Sequence, residues 1–221
     1  MFLIHCFNIR RFIFLLPLTW VSCQSSVSKP VLPFYNSADF TPLFFTDADA
    51  ANRAITHRVG SFQFLDQHHQ LVCDSNVKGK IHVANFFFTR CGSICPSIMR
   101  NMRALQTAFA GDQQVIILSY SVTPWIDSAG RLKQYAEANQ ITAPNWHLLT
   151  GSRADIYRLA RTSYFAEETL GLSKDSSNFL HTEHVLLVDR SLRLRGIYNG
   201  TLPLDIEQLS RDIRALEKEP D

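Results

Sequence analysis

The chain has 221 residues, of which 46% are hydrophobic and 19% charged, and its formal net charge is +2. A chain of this size can bury one substantial core, so we expect one folded domain. Two of the positive charges, Arg10 and Arg11, lie near the N-terminus; without them, 20 basic side chains balance 20 acidic ones. We therefore expect no nucleic-acid partner.

The first 22 residues have the order of an export signal. Arg10 and Arg11 precede an apolar run over residues 12–21, which is short and is interrupted by Pro17. Such a run is too short for a comfortable membrane span but suits the apolar core of a signal peptide. We therefore assign residues 1–22 to a signal peptide.

The end of this signal resembles the lipobox of bacterial lipoproteins. Ser22, a small residue, precedes Cys23, although Trp20 stands where that family usually has an aliphatic residue. The resemblance implies that Cys23 becomes the lipid-bearing N-terminus and that the protein is exported and held on the periplasmic side of a bacterial membrane by its lipid. An ordinary secretory signal and an uncleaved short anchor are the alternatives.

Residues 23–56 are largely polar and contain several prolines, so we expect a tether followed by an irregular lead-in. Regular patterns begin soon afterwards, and we place the domain at residues 57–221. The patterns predict a hairpin over 62–73, strands at 81–88, 115–120, 146–150, 183–189 and 194–199, helices at 93–110, 127–139, 153–161 and from 204 onwards, and a mobile loop at 167–178. Such an alternation predicts an α/β three-layer sandwich with a central mixed sheet and an N-terminal hairpin.

Two cysteines lie where a buried strand is predicted to lead into a helix. Cys91 and Cys95 follow the apolar run at 86–88, and Pro96 suits the first helical turn. Unpaired N–H groups and the helix dipole at this position favour thiolate over thiol, so we expect both sulfurs at a helix start rather than deep in the core. The pair can close a disulfide or hold a soft metal ion. A thiol pair at the start of the first main helix indicates a thioredoxin-like architecture, but three residues separate the cysteines where thioredoxins have two.

With these motifs the chain resembles the Sco/SenC family of copper chaperones over roughly residues 57–217. The resemblance is carried by Cys91-Gly92-Ser93-Ile94-Cys95-Pro96, preceded by Thr89, and by His181-Thr182 about 85 residues further on. It implies that Cys91, Cys95 and His181 bind copper(I) and copper(II), and that the two cysteines are redox-active. It also implies a copper acceptor, the copper-bearing subunit of cytochrome oxidase, and a thiol reductant outside the cytosol.

The chain departs from the family pattern after the next strand. The family commonly carries Ser-Val-Asp-Pro there, with a second aspartate soon after, whereas this chain has Thr123 in place of the first acidic residue. The second aspartate is present as Asp127, which we expect to be a helix N-cap rather than a ligand.

Several alternatives stay open. His184 competes with His181, but three residues further along a strand its side chain should point to the opposite face. Zinc is disfavoured because a structural zinc site needs four ligands and only three candidates converge. The thiol pair could also serve a thiol–disulfide oxidoreductase or form a permanent disulfide, although a loop so short would add little stability. The remaining candidates are expected to be structural or exposed: Cys73, half-buried in a strand, and His57, His68, His69, His82 and His147.

Overall fold

The computed structural model describes residues 32–166 and 182–219. The signal peptide, the candidate lipid site Cys23, the loop at 167–178 and the candidate ligand His181 lie outside these ranges. Within the described ranges, no helix is both long enough and apolar enough to cross a membrane.

The chain alternates strands and helices in the order that the sequence pattern predicts. The strands are β1 Phe34–Tyr35, β2 Pro42–Leu43, β3 Gln63–Leu65, β4 Leu71–Cys73, β5 Ile81–Phe87, β6 Val115–Ser121, β7 Trp146–Leu149, β8 His184–Val188 and β9 Leu194–Asn199. The helices are α1 Ala48–Ala54, α2 Asp74–Val77, α3 Cys95–Phe109, α4 Ala129–Ala138, α5 Arg153–Thr162 and α6 Pro203–Leu216.

Seven strands form one mixed sheet in the order β2-β1-β9-β8-β5-β6-β7. β5 lies inside it, parallel to β6 and antiparallel to β8. All seven residues of β5 and all seven of β6 are buried, as expected for strands that are covered on both faces of the sheet. Because β5 and β6 are parallel, the loops that follow them leave the sheet at the same edge.

Helices and the hairpin cover the two faces of this sheet. On one face α3, α4 and α6 pack on alternate residues of the central strands, and the core there includes Met102, Leu132 and Leu209. On the other face α5 and the β3–β4 hairpin enclose a second core that includes Phe64 and Ile156. The predicted three layers, central mixed sheet and N-terminal hairpin are confirmed.

The lead-in before the predicted domain start is regular, contrary to expectation. β1 extends the main sheet by pairing with β9, and α1 packs Ala51 and Ile55 on Phe34. The guanidinium of Arg195, 2% exposed, donates hydrogen bonds to the carbonyl oxygens of Leu32 and Pro33. Strands of two residues are too short to show a period, so the sequence pattern could not reveal them.

Candidate metal centre

The thiol pair lies at the carboxyl edge of the central sheet. β5 ends at Phe87, and a turn closed by the Cys91 N–H donating to the Phe88 carbonyl oxygen, at 3.2 Å, brings the chain round to α3. Helix α3 begins at Cys95, two residues later than predicted, and Pro96 occupies its first turn. The strand therefore delivers Cys91 to the edge, and the helix start holds Cys95.

Cys91 is the accessible member of the pair. It is half-buried, and its sulfur accepts a hydrogen bond from the Cys95 backbone N–H at 3.5 Å. Burial opposes ionisation of this thiol, but hydrogen bonds from the Cys95 side chain and from the backbone N–H groups of Cys95, Ser93 and Ile94 outweigh it. The pKa of Cys91 is therefore lowered.

Cys95 lies in the core, contrary to the expectation that both sulfurs stay near the surface. It is 4% exposed and belongs to the same cluster as Ile98 and Met99. Burial, followed by the neighbouring Cys91 sulfur, raises the pKa of Cys95 to about 12. The expectation that the helix start favours thiolate holds for Cys91 and is wrong for Cys95, because loss of hydration outweighs the helix N-terminus there.

Both thiols are free in this structure. The arrangement pairs one accessible sulfur of lowered pKa with one buried sulfur that it contacts. Such a pair can attack a partner's disulfide with Cys91 and resolve the product with Cys95. It can equally present two sulfurs to a soft metal ion, which displaces their protons.

Tyr135 on α4 lies beside this pair, although no sequence motif marks it as part of the site. Its ring centroid is 5.4 Å from that of Phe87, the last residue of β5. Burial raises the pKa of Tyr135, and the neighbouring Cys95, Cys91 and Asp127 raise it further. The tyrosine thus borders the thiols on the side of α4, a proximity that only the packing of α4 on the sheet reveals.

Asp127 does not cap helix α4 as predicted. The N-cap is Ser128, whose side chain accepts a hydrogen bond from the Arg131 N–H. Asp127 is instead fully buried and accepts hydrogen bonds from Thr89, Ser121 and Thr123. Because two adjacent residues could both cap a helix, sequence alone does not separate them.

Of the two histidines that compete as the metal ligand, the structure describes only His184. His181 lies outside the described residues; Thr182, which follows it, is buried two residues before β8 begins at His184. Because β8 is antiparallel to β5, the chain enters β8 at the edge where β5 ends. The ring centroid of His184 lies 5.8 Å from that of Phe40. His184 alternates along β8 with Leu186 and Val188, which belong to the core on the face of the sheet opposite the thiols.

The other cysteine and histidine candidates either contact neighbouring residues of the fold or are exposed. The Cys73 sulfur lies 3.1 Å from the Ser75 hydroxyl, at the end of β4, half-buried as expected. His147 has an acidic partner, since its Nδ1 lies 3.0 Å from the carboxylate of Asp66. The two residues are far apart in the sequence, so their spacing did not reveal this contact. His57 and His82 hydrogen-bond to Ser163 and Tyr164, and His68 and His69 are exposed. Within residues 32–166 and 182–219, no three histidine, cysteine or acidic side chains are grouped to hold a metal ion.

Several known proteins are similar to this chain in sequence and in fold. A model of the SCO1/SenC family matches residues 50–218. A SCO1/SenC family lipoprotein from Bacillus anthracis str. Ames is 28% identical, with a TM-score of 0.64 over 74% of this chain and 97% of that one. BsSco, described as having a disulfide switch and as a member of the Sco family of cytochrome c oxidase assembly proteins, is 26% identical, with a TM-score of 0.62 over 74% and 95%. ScoI from Bradyrhizobium japonicum, solved with copper bound, is 26% identical, with a TM-score of 0.54 over 72% and 99%.

Proposed function

The chain belongs to the SCO1/SenC family, and on that premise we propose that it is an exported copper metallochaperone. It binds copper as cargo through Cys91, Cys95 and His181 and takes part in assembling the copper centre of a respiratory cytochrome c oxidase. The observation that carries this proposal is the free thiol pair at the carboxyl edge of β5, one sulfur accessible and the other buried against it.

The donor set suits copper in both oxidation states. Copper(I) is soft and prefers thiolates, whereas an imidazole binds copper(I) and copper(II) alike. Cys95, with its raised pKa, loses its proton when the metal binds, so copper uptake releases protons. The support for His181 is its position in the family motif, directly before the buried Thr182 that leads into β8.

The acceptor and the location are proposed from the relatives and the leader. BsSco is described as belonging to a family of cytochrome c oxidase assembly proteins, and this supports the copper-bearing oxidase subunit as acceptor. The relative from B. anthracis is described as a lipoprotein, which supports export and a lipid on Cys23. Outside the cytosol a neighbouring thiol pair oxidises, so the protein requires a thiol reductant there before it can load copper.

A thiol–disulfide oxidoreductase is the second candidate function, and the inequality of the two thiols favours it. The accessible sulfur of lowered pKa, Cys91, suits the attacking cysteine, and the buried sulfur of raised pKa, Cys95, suits the resolving cysteine. In this function the pair reduces the cysteines of a target protein, and no histidine is required.

Anaerobic titration of the reduced protein with copper(I) tests the metallochaperone. We expect Cys91→Ala and Cys95→Ala each to abolish tight copper(I) binding, because only one of the two sulfur ligands then remains. Alanine is used at both positions because it removes the sulfur and leaves no other atom that could bind the metal. Cys73→Ala is the matched control and should bind as the parent does. Tight binding that survives Cys91→Ala, or that depends on Cys73, would contradict the proposed site.

A further inference from the structure

A buried carboxylate that neither proposed role of the thiols uses lies beneath the turn that carries Cys91. Asp127 is 0% exposed. It accepts hydrogen bonds from the Thr89 backbone N–H at 3.1 Å, the Thr89 hydroxyl at 2.6 Å, the Ser121 hydroxyl at 2.6 Å and the Thr123 hydroxyl at 2.9 Å. A carboxylate removed from water needs such a set of donors.

Half of these hydrogen bonds reach across from one loop to the other. Thr89 belongs to the turn after β5, two residues before Cys91, whereas Asp127 belongs to the loop after β6. Arg131 on α4 closes the cluster: its Nε donates to the Thr89 hydroxyl oxygen at 2.7 Å and lies 3.5 Å from an Asp127 oxygen. The backbone N–H and the hydroxyl of Thr89 are therefore both held by side chains of the neighbouring segment.

We infer that Asp127 is a positioning residue for the thiol pair. By holding Thr89 it fixes the path of the turn, and so keeps the Cys91 sulfur against the backbone of Cys95 at the start of α3. Two reacting groups held in place lose less freedom when they become joined, so their effective concentration toward one another rises. The network therefore favours any state in which both sulfurs are joined, whether by a disulfide bond or through a shared metal ion.

The disulfide reaction isolates this effect from copper. The two thiols of Cys91 and Cys95 reduce glutathione disulfide: one sulfur–sulfur bond forms in the protein, the bond in glutathione disulfide breaks, and two electrons and two protons pass to two molecules of glutathione. Because no metal takes part, the inference holds whether or not copper is the cargo, and its test can fail independently of the copper titration.

The experiment measures the equilibrium of this pair in glutathione buffers on the full-length protein, with the Cys91–Cys95 state resolved by mass spectrometry. Thr89→Val keeps the shape of the side chain but removes the hydroxyl that joins Asp127 to the turn. We expect it to lower the equilibrium constant for disulfide formation about tenfold, since the lost bond is to a charged group. Asp127→Asn should shift the equilibrium the same way, and Thr89→Val keeps the test valid if that variant does not fold.

Ser121→Ala is the matched control because it removes a donor to the same carboxylate that comes from β6 and not from the turn. It should lower the stability of the fold but leave the glutathione equilibrium within about twofold of the parent. An unchanged equilibrium in Thr89→Val overturns the inference. So does an equal shift in Ser121→Ala, because the cluster would then act only through general stability.

Discussion

Environment separates two cysteines that are chemically identical and only four residues apart. Cys91 receives backbone N–H groups at the start of α3 while remaining half-exposed, and its pKa falls. Cys95 projects into the core, where burial raises its pKa to about 12. Their spacing in the sequence identifies the pair, but only the packing of α3 on the sheet decides which sulfur faces solvent.

Alkylation of the reduced protein tests this inequality. At neutral pH iodoacetamide should modify Cys91 about tenfold or more faster than Cys95, because the thiolate reacts and Cys95 is both buried and protonated. Peptide mapping by mass spectrometry at a series of times gives both rates. The lowered pKa of Cys91 means that its rate persists to lower pH than that of an ordinary thiol. Equal rates for the two cysteines would contradict the geometry.

At the scale of elements, long patterns were predictable and short ones were not. The helices and strands with a sustained apolar period appear in the predicted order, and the family resemblance and the three-layer fold are confirmed. The two-residue strands β1 and β2 were not predicted, because strands so short show no hydrophobic period. The N-cap prediction for Asp127 is wrong because its hydrogen-bond partners come from segments that the sequence does not show to be close. His181 and Cys23 lie outside the described residues, so their roles stay proposals.

The contact between the lead-in and the last strand gives an element-scale prediction. Arg195 in β9 joins the carbonyl oxygens of Leu32 and Pro33 to a two-pronged ion pair with Glu219, at 2.7 and 3.0 Å. Arg195→Met should lower the free energy of unfolding by about 1–3 kcal/mol, because the two carbonyl oxygens lose their donor and the buried Asp189 loses one of its two arginine partners.

Denaturant unfolding measures this loss, and Arg211→Met serves as its control. Arg211 is an exposed arginine on α6 whose side chain contacts Gln208. The control should change stability by less than about 0.5 kcal/mol. If the two variants proved equally stable, the lead-in would not be an integral part of the fold.

At the scale of the whole molecule, the two faces of the sheet carry different ionisable groups. The face covered by α3, α4 and α6 carries the thiol pair at its edge. The opposite face encloses a wholly buried histidine, His82, whose Nε2 lies 3.1 Å from the Tyr164 hydroxyl. Burial lowers the pKa of His82 to about 3, so the folded protein keeps this ring neutral.

This histidine makes the stability of the fold depend on pH. The unfolded chain takes up a proton near the ordinary histidine pKa of 6.5, whereas the folded chain does so only near 3. Its contribution is therefore fully present above pH 6.5 and is lost as the pH falls toward 3, at about 1.4 kcal/mol per pH unit. In denaturant unfolding at pH 4 to 7, His82→Gln should flatten this slope by that amount. His69→Gln, at an exposed site, should keep the slope of the parent; an unchanged slope in His82→Gln would refute the assignment.

Copper X-ray absorption on the loaded full-length protein tests the central claim, that two sulfurs and one imidazole hold the cargo, most directly. We expect sulfur and nitrogen scattering in the parent protein and the same spectrum in His184→Ala, because the ring of His184 packs against Phe40. In His181→Ala we expect the nitrogen signal to be lost, the two sulfurs to remain and copper(II) to bind much more weakly. A spectrum without sulfur in the parent, or an unchanged nitrogen signal in His181→Ala, would contradict it.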